Sequence, residues 1–267
     1  MKSVYVILTG VTILFGGCKE SGKTTAASSP EHVANVHSKS ANHWSYEGET
    51  GPEHWKEIEK NSDCGGFLQS PINIVNYELD RTLPNLSVHY TTSTHIHDVV
   101  NNGHTIQYNF DVGDFIELGD NQYELMQFHF HEPAEHLIDG IRYPMELHLV
   151  HKSADGAYAV LSVMAKEGAS SEPFDFLERH LPLEVGDIET VDMAFDMNLN
   201  LPRDKTYFTY EGSLTTPPCT ENVRWIIFRE PITVSLQQVE ELRKLMPLNN
   251  YRDEQPRNNR PILLSSR

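Results

Sequence analysis

Two segments of alternating side chains, YELMQFHFH at 123–131 and MELHLVH at 145–151, most strongly limit how this chain folds. In a β-strand, residues two positions apart share a face, so each segment has one apolar face and one face that carries histidines. Six more runs of strand character are punctuated by turn residues: LSVHY, TIQYNF, FIELG, YAVLSVMA, YFTYEG and NVRWIIF. The pattern predicts a mainly β protein.

Helical patterns are few and short. The segment EPFDFLERHL follows a turn at 168–171, and SLQQVEELRKLM begins with Ser235, a residue type that caps helix N-termini. We therefore expect short helices at the periphery of the β structure. No internal repeat and no second linker follows residue 42, which favours a single domain over residues 42–267.

The histidines of the two alternating segments predict a metal site. His129 and His131 share one face of the first segment, and the neighbouring phenylalanines face the opposite way. Turn residues at 139–144 precede the second segment, so a returning antiparallel strand brings His148 beside the first pair. Three imidazoles without a fourth protein ligand leave one coordination position open, which is typical of catalytic zinc.

Two further side chains are placed to support these ligands. Gln127 and Glu146 each stand two residues before a candidate ligand and on its face. Histidines that bind metals usually donate their second ring N–H to a carboxylate, amide or carbonyl oxygen. We therefore expect these two side chains to orient the imidazoles.

Other interpretations of the histidines fit less well. A metalloprotease helix needs HExxH, but the position four after His131 is Glu135, and a proline between them interrupts any helix. A cupin-type iron oxygenase would use His129, His131 and Glu135 as ligands, but its following glycine is misplaced and its second motif is missing. A second HxH pair, His95 and His97, lacks a flanking Gln or Glu on its own face.

The N-terminal segment is typical of an exported protein. Residues 1–17, MKSVYVILTGVTILFGG, carry one lysine and then an apolar run that is too short for the roughly 20 residues that span a bilayer. The following Cys18 completes a pattern that resembles a bacterial lipobox, so we predict a signal peptide, lipidation of Cys18 and a polar tether over 18–41. The expected location is periplasmic or at the cell surface.

Charge and cysteine content limit the partners and the compartment. A formal charge of -17 argues against a nucleic-acid partner, because binding to phosphates requires a basic surface. With Cys18 assigned to lipid, Cys64 and Cys219 remain as an even pair in an oxidising compartment. They are either two buried thiols or a disulfide.

Taken together, eight segments resemble the α-class carbonic anhydrases, specifically those of bacteria. They are HWSYEGETGPEHW, SPINI, NNGHTIQ, QFHFH, MELHLVH, AVLSVMAKEG, EGSLTTPPCTENVRW and NNYRDEQPRNNRP, and they cover nearly the whole chain after the tether. The resemblance implies a single domain built around a large central, mostly antiparallel, twisted β-sheet. It also implies a Cys64–Cys219 disulfide and cis peptide bonds before Pro71 and Pro218.

The resemblance assigns a role to each matching residue. The zinc ligands are His129, His131 and His148, and their supports are Gln127, Glu146 and the backbone of Asn250. The catalytic set is Thr215, which accepts a hydrogen bond from zinc hydroxide, Glu135, which accepts from Thr215, and the proton shuttle His104. The water path is Tyr46, Asn102 and Gln107, and the carbon dioxide pocket is Val150, Val160, Leu214, Thr216, Val223 and Trp225.

The implied activity is reversible hydration of carbon dioxide to bicarbonate and a proton by zinc hydroxide. The expected partners are Zn²⁺ and the small substrate, with membrane contact only through the lipid anchor, and the chain is a monomer or homodimer. Gln107 departs from the asparagine of many relatives, and Glu132 and Pro133 replace the Trp-Gly of animal members. Some relatives have lost ligand histidines and act as binding modules, but this chain retains all three.

Overall fold

The computed structural model describes residues 44–182 and 184–266. The predicted signal peptide at 1–17, the tether at 18–41 and the lipidation site Cys18 lie outside these residues. Within the described part of the chain, no helix has the length and apolar character needed to cross a membrane.

Sixteen β-strands dominate the described residues. They are β1 Asn73–Ile74, β2 Glu78–Asp80, β3 Leu86–His89, β4 His95–Asn101, β5 Ile106–Phe110, β6 Phe115–Leu118, β7 Asn121–His131, β8 Leu137–Ile138, β9 Ile141–Arg142, β10 Met145–Lys152, β11 Tyr158–Glu167, β12 Ile188–Ala194, β13 Tyr207–Ser213, β14 Glu221–Phe228, β15 Ile232–Val234 and β16 Leu263–Ser265. The helices are α1 Trp55–Ile58, α2 Glu172–Glu178 and α3 Leu236–Arg243, with 3₁₀ turns at Gly48–Thr50, Pro52–His54 and Met197–Asn200.

Thirteen strands form one sheet whose main path runs β12-β4-β5-β7-β10-β11-β14-β13-β16-β2. Most neighbours are antiparallel, and the parallel pairs of this sheet are β11 with β14, β11 with β15, and β16 with β2. The predicted architecture, mainly β around a large, mostly antiparallel sheet, is confirmed. All eight strands expected from the sequence are present.

The two strands that carry the histidines lie side by side near the middle of the sheet. Seven of the eight residues of β10 are buried, because β7 covers one edge of this strand and β11 the other. Leu147 and Leu149 of β10 belong to the main apolar core, together with Phe128 and Phe130 of β7. The opposite face of both strands therefore carries the polar set.

The helices pack at the periphery, as predicted. Phe174 of α2 and Val239 of α3 are buried in the main core. Ser235 caps α3: its side chain accepts a hydrogen bond from the backbone N–H of Gln238, whose side chain accepts in return from the Ser235 backbone. This capping box satisfies two N–H groups that would otherwise lack partners at the helix start.

Some elements were not expected from the sequence. The predicted turn segment at 139–144 overlaps a β-hairpin. Asp139 and Gly140, with φ of 50° and 78°, form the two-residue loop that joins β8 to β9. An Asp-Gly pair suits such a two-residue hairpin loop because both positions need positive φ. The edge strand β12 was also not predicted, because almost all of its residues are exposed and its sequence lacks an apolar alternation.

The covalent features implied by the family resemblance are present. Cys64 and Cys219 form a disulfide with an S–S distance of 2.03 Å. Peptide bonds are cis before Pro71 and Pro218, and also before Pro133, which was not predicted. The disulfide packs in a small cluster with Trp55, so it anchors the segment before β1 to the loop between β13 and β14.

Candidate metal centre

The register between β7 and β10 brings three histidines together. His148 lies directly opposite His129, and Glu146 lies opposite His131. The Nε2 atoms of His129 and His131 are 3.1 Å apart, and each of the three imidazoles offers a nitrogen within 4.8 Å of the other two. Two nitrogens on one tetrahedral zinc lie roughly 3.3 Å apart, so the spacing fits such an ion.

The second nitrogen of each ring is engaged by an oxygen acceptor. His129 Nδ1 donates to Gln127 Oε1 at 2.9 Å, and His148 Nε2 donates to Glu146 Oε1 at 2.7 Å. His131 Nδ1 donates to the backbone oxygen of Asn250 at 2.7 Å.

Because these acceptors cannot donate, each engaged nitrogen carries the hydrogen and the other one presents a lone pair. The converging atoms are therefore Nε2 of His129, Nε2 of His131 and Nδ1 of His148. This donor set fits a zinc ion with one open position.

Burial keeps the three imidazoles neutral. Loss of contact with water lowers the pKa of His129 well below its usual value and lowers that of His148, against the opposing effect of Glu146. The same cause lowers the pKa of His131 to about 4. Neutral imidazoles bind metal ions without first losing a proton.

Glu146 is the centre of a buried hydrogen-bond network that the sequence did not predict. Its Oε1 accepts from His148 Nε2, His136 Nδ1 and the Ser162 hydroxyl at 2.6 to 2.8 Å. Its Oε2 accepts from the backbone N–H groups of Glu135 and His136, both at 2.8 Å. Burial raises the pKa of Glu146, but the electrostatic attraction and the hydrogen bonds of the His136 and His148 imidazoles outweigh it and hold this pKa well below its usual value.

His136 extends the network away from the histidine cluster. Its Nε2 accepts from the Tyr210 hydroxyl at 2.7 Å, and Tyr210 in turn pairs with the Ser70 hydroxyl at 2.7 Å. His136, Glu146 and His148 also lie close enough to form a second metal-like group. However, their nearest atoms are already hydrogen-bonded to one another, so this group supports His148 rather than offering an open site.

Glu135 lies beside the histidine cluster and is fully buried. Its Oε1 accepts from the Arg252 backbone N–H at 2.9 Å, and its Oε2 lies 3.5 Å from His131 Nε2. Burial raises the pKa of Glu135, while hydrogen bonds from Thr215 and Arg252 oppose that rise. Among the described residues, the groups of three donors that could hold a metal do not include Glu135, which argues against the cupin-type ligand set.

A cavity of about 110 Å³ opens above the histidines. It is lined by Trp44, Tyr46, Asn102, His104, Thr105, Gln107, Gln127, His129, His131 and Thr216. The four residues to which the resemblance assigns the shuttle and the water path, Tyr46, Asn102, His104 and Gln107, therefore line one cavity with His129 and His131. The ring of His104 stacks on Trp44, with centroids 3.7 Å apart, a contact that no sequence pattern predicted.

Of the six residues predicted to form the carbon dioxide pocket, five lie together as an apolar wall, and Thr216 instead lines the cavity that contains His104. Val150, Val160, Val223 and Trp225 are buried in one apolar cluster, and Leu214 packs against it. The Trp225 ring lies 4.9 Å from the ring of His148. The surroundings of His148 on the Trp225 side are therefore apolar.

The loop that carries Thr215 is held at both ends. The backbone N–H of Leu214 donates to the oxygen of Thr220 at 2.9 Å, and that of Cys219 donates to Thr216 at 2.8 Å. Cys219 has φ of 54° and is bridged to Cys64. The disulfide thus fixes the loop four residues beyond Thr215.

The competing HxH pair faces carboxylates instead. His95 Nδ1 lies 3.0 Å from Asp192, and His97 Nε2 lies 2.8 Å from Asp98. Neither histidine belongs to a group of three potential ligands in the part of the chain that the structure describes. The three-histidine cluster in the centre of the sheet is therefore the candidate metal centre.

A three-histidine centre with an open position, set in a twisted β-sheet beside an apolar wall, defines a class of zinc enzyme. Comparison with known proteins identifies the family. Residues 50–266 match the family model described as eukaryotic-type carbonic anhydrase. The chain belongs to this family, the α-class carbonic anhydrases, and is an enzyme of that class.

Bacterial relatives are similar over most of their length. A carbonic anhydrase from Klebsiella pneumoniae is 40% identical over 227 residues, which cover 84% of this chain and 91% of that protein. The α-carbonic anhydrase from Thermovibrio ammonificans, solved with the inhibitor sulfanilamide, has a TM-score of 0.79 and 39% identity over 83% of this chain and 99% of its own. A hyperthermostable carbonic anhydrase from a hydrothermal vent chimney has a TM-score of 0.80 and 39% identity, covering 84% and 100%.

Proposed function

We propose that this chain catalyses the reversible hydration of carbon dioxide to bicarbonate and a proton, with zinc held by His129, His131 and His148. The observation that carries the proposal is the convergence of three imidazole nitrogens whose ring partners are all engaged by oxygen acceptors. When bound, zinc lowers the pKa of a bound water to about 7 and so supplies a hydroxide nucleophile at neutral pH.

Thr215 and Glu135 orient the nucleophile in this proposal. In this proposal the Thr215 hydroxyl donates to Glu135, whose Oε1 accepts from the Arg252 backbone N–H. With its own hydrogen committed, Thr215 Oγ can only accept, so a hydroxide must direct its hydrogen at Thr215 and its lone pair elsewhere.

The apolar wall binds the substrate. Carbon dioxide has no hydrogen to donate, and Val150, Val160, Val223 and Trp225 offer it a dry surface beside His148. Bicarbonate is charged and polar, so the same surface favours its release. This difference supports turnover rather than tight product binding.

His104 removes the proton. The His104 imidazole lines the same cavity as His129 and His131, together with Tyr46, Asn102 and Gln107. An unperturbed histidine titrates near pH 6.5, which suits transfer to external buffer near neutral pH.

We infer the cellular compartment of the enzyme from its sequence and its disulfide. Cys64–Cys219 fits an oxidising, exported compartment. We therefore propose a periplasmic or surface location with a lipid anchor at Cys18, and a monomeric or homodimeric protein.

Metal analysis and a carbon dioxide hydration assay test the proposal together. The purified protein should contain one zinc per chain and hydrate carbon dioxide, and His129→Asn should lose both properties. His97→Asn is the matched control, since this histidine lies outside the centre and should leave both unchanged. Iron in place of zinc, or zinc without hydration activity, would contradict the proposal.

A further inference from the structure

A row of polar side chains connects the surface to the cavity along β4 and β5. Asp98 Oδ1 accepts from Asn109 Nδ2 at 2.6 Å, and Asn109 Oδ1 accepts from Gln107 Nε2 at 2.7 Å. Gln107 lines the cavity beside His104. We propose that Asp98 and Asn109 are positioning residues that turn the amide of Gln107 so that its carbonyl oxygen, and not its NH₂ group, faces the cavity.

The outer end of the row dictates one orientation. An ionised carboxylate can only accept hydrogen bonds, so Asn109 must present its NH₂ group to Asp98. The carbonyl oxygen of Asn109 then faces Gln107, so Gln107 must donate from its own NH₂ group. The other carboxylate oxygen of Asp98 lies 2.8 Å from His97 Nε2, a partner that also holds Asp98 as an acceptor.

The inner end of the row favours the same orientation, but through a longer contact. Asn102 Oδ1 accepts from the backbone N–H groups of His104 and Thr105, both at 2.9 Å. Backbone N–H groups can only donate, so the Asn102 NH₂ group is the part that faces Gln107, and its Nδ2 lies 3.5 Å from Gln107 Oε1. The carbonyl end of Gln107 is therefore matched to a donor from this side as well.

The orientation matters for the water path of the proposed reaction, on which this inference rests. A carbonyl oxygen in the cavity wall makes neighbouring water molecules donate toward it, whereas an NH₂ group would make them accept. A proton moves along a water chain only when each molecule donates to the next one. The fixed amide should thus assist proton transfer to His104 and leave the reaction at the metal unaffected.

Neutron diffraction from crystals exchanged into heavy water tests the orientation directly, because it distinguishes ND₂ from oxygen. We expect deuterium on Gln107 Nε2 directed at Asn109. The reverse assignment, with the Gln107 oxygen toward Asn109 and its ND₂ group toward Asn102, would overturn the inference. This measurement does not require activity, so it separates failure of the inference from failure of the proposed function.

Substitution of Asp98 tests the consequence. Asp98→Asn can donate as well as accept, so the orientation of the row is no longer dictated. At low buffer concentration we expect kcat to fall roughly two- to fivefold, the effect of about one hydrogen bond, with kcat/KM unchanged. Asp111→Asn is the matched control: Asp111 lies 3.7 Å from the other ring nitrogen of His97 and should leave kcat as it is in the parent.

A double substitution provides the rescue. In Asp98→Asn combined with Asn109→Asp, the carboxylate moves to position 109 and again accepts from the NH₂ group of Gln107. We expect kcat at low buffer to return toward the parent value. An Asp98→Asn enzyme with parental kcat, a parallel fall in kcat/KM, or no recovery in the double variant would each overturn the inference.

Discussion

Replacement of Glu146 by glutamine should weaken metal binding and stability, although it exchanges only one carboxylate oxygen for an NH₂ group. Each orientation of the new amide is unfavourable. If the NH₂ group takes the place of Oε2, it faces the backbone N–H groups of Glu135 and His136. Two buried donors without acceptors cost about 1–3 kcal/mol each, so the free energy of unfolding of the metal-free protein should fall by roughly 2–6 kcal/mol.

The alternative orientation places the NH₂ group against His148 Nε2, which currently donates to the carboxylate. The imidazole must then accept at Nε2 and carry its hydrogen on Nδ1, the atom that converges with the other two histidines. A protonated Nδ1 cannot bind a metal. Loss of such a supporting partner typically weakens metal affinity 10–100-fold, and we expect Glu146→Gln to lie at the upper end.

Zinc affinity from chelator competition and urea unfolding of the metal-free protein measure the two effects. Ser162→Ala is the control, because it removes one donor to Glu146 and leaves the carboxylate in place. It should cost about 1 kcal/mol and barely change zinc affinity. A Glu146→Gln protein with parental zinc affinity and parental stability would refute the reasoning about the network.

Three further predictions concern other parts of the molecule. His104→Ala should lower kcat strongly at low buffer with kcat/KM unchanged, and added imidazole should restore much of the loss; equal kcat would show that another group carries the proton. Reduction or Cys64→Ser should lower the free energy of unfolding by about 5 kcal/mol, since the bond closes a loop with a sequence separation of 155; urea unfolding measures the change, and parental stability would contradict it. Buried His151 has its pKa lowered by burial to about 3, so the unfolded chain takes up a proton below pH 6.5 and the folded chain does not. His151 should contribute a fall in stability of about 1.4 kcal/mol per pH unit between pH 6.5 and about 3, and His151→Gln should reduce the slope measured by pH-dependent urea unfolding; an equal slope in both proteins would contradict this.

Local pattern was sufficient to predict eight of the described strands and the histidine pair. The alternation in β7 and β10 separates histidines from apolar residues, and a one-residue slip of either strand would turn its apolar face away from the core. The positions of Gln127 and Glu146 follow from the same alternation. These features depend on residues close together in sequence, so sequence alone predicts them.

The remaining features depend on contacts between distant segments. The backbone oxygen of Asn250 reaches His131 across 119 positions, and nothing local to either residue indicates it; only the family resemblance did. The hydrogen bond between His136 and Tyr210 and the stacking of Trp44 on His104 are likewise set by the tertiary fold. The edge strand β12 lacks an apolar face because side chains on both of its faces are exposed, so no periodic pattern marks it.

The segment after residue 249 determines when, relative to synthesis of the chain, the metal centre can be completed. All three candidate ligands lie between Cys64 and Cys219, but the acceptor for His131 and the N–H donor to Glu135 come from Asn250 and Arg252. During translation, Asn250 and Arg252 are added about a hundred residues after His148, the last histidine ligand. A nascent chain stalled before residue 250 would hold every ligand and still leave the tautomer of His131 undecided. Productive metal loading should therefore wait for this late segment, which makes acquisition of the metal a post-translational event that reports a completed fold.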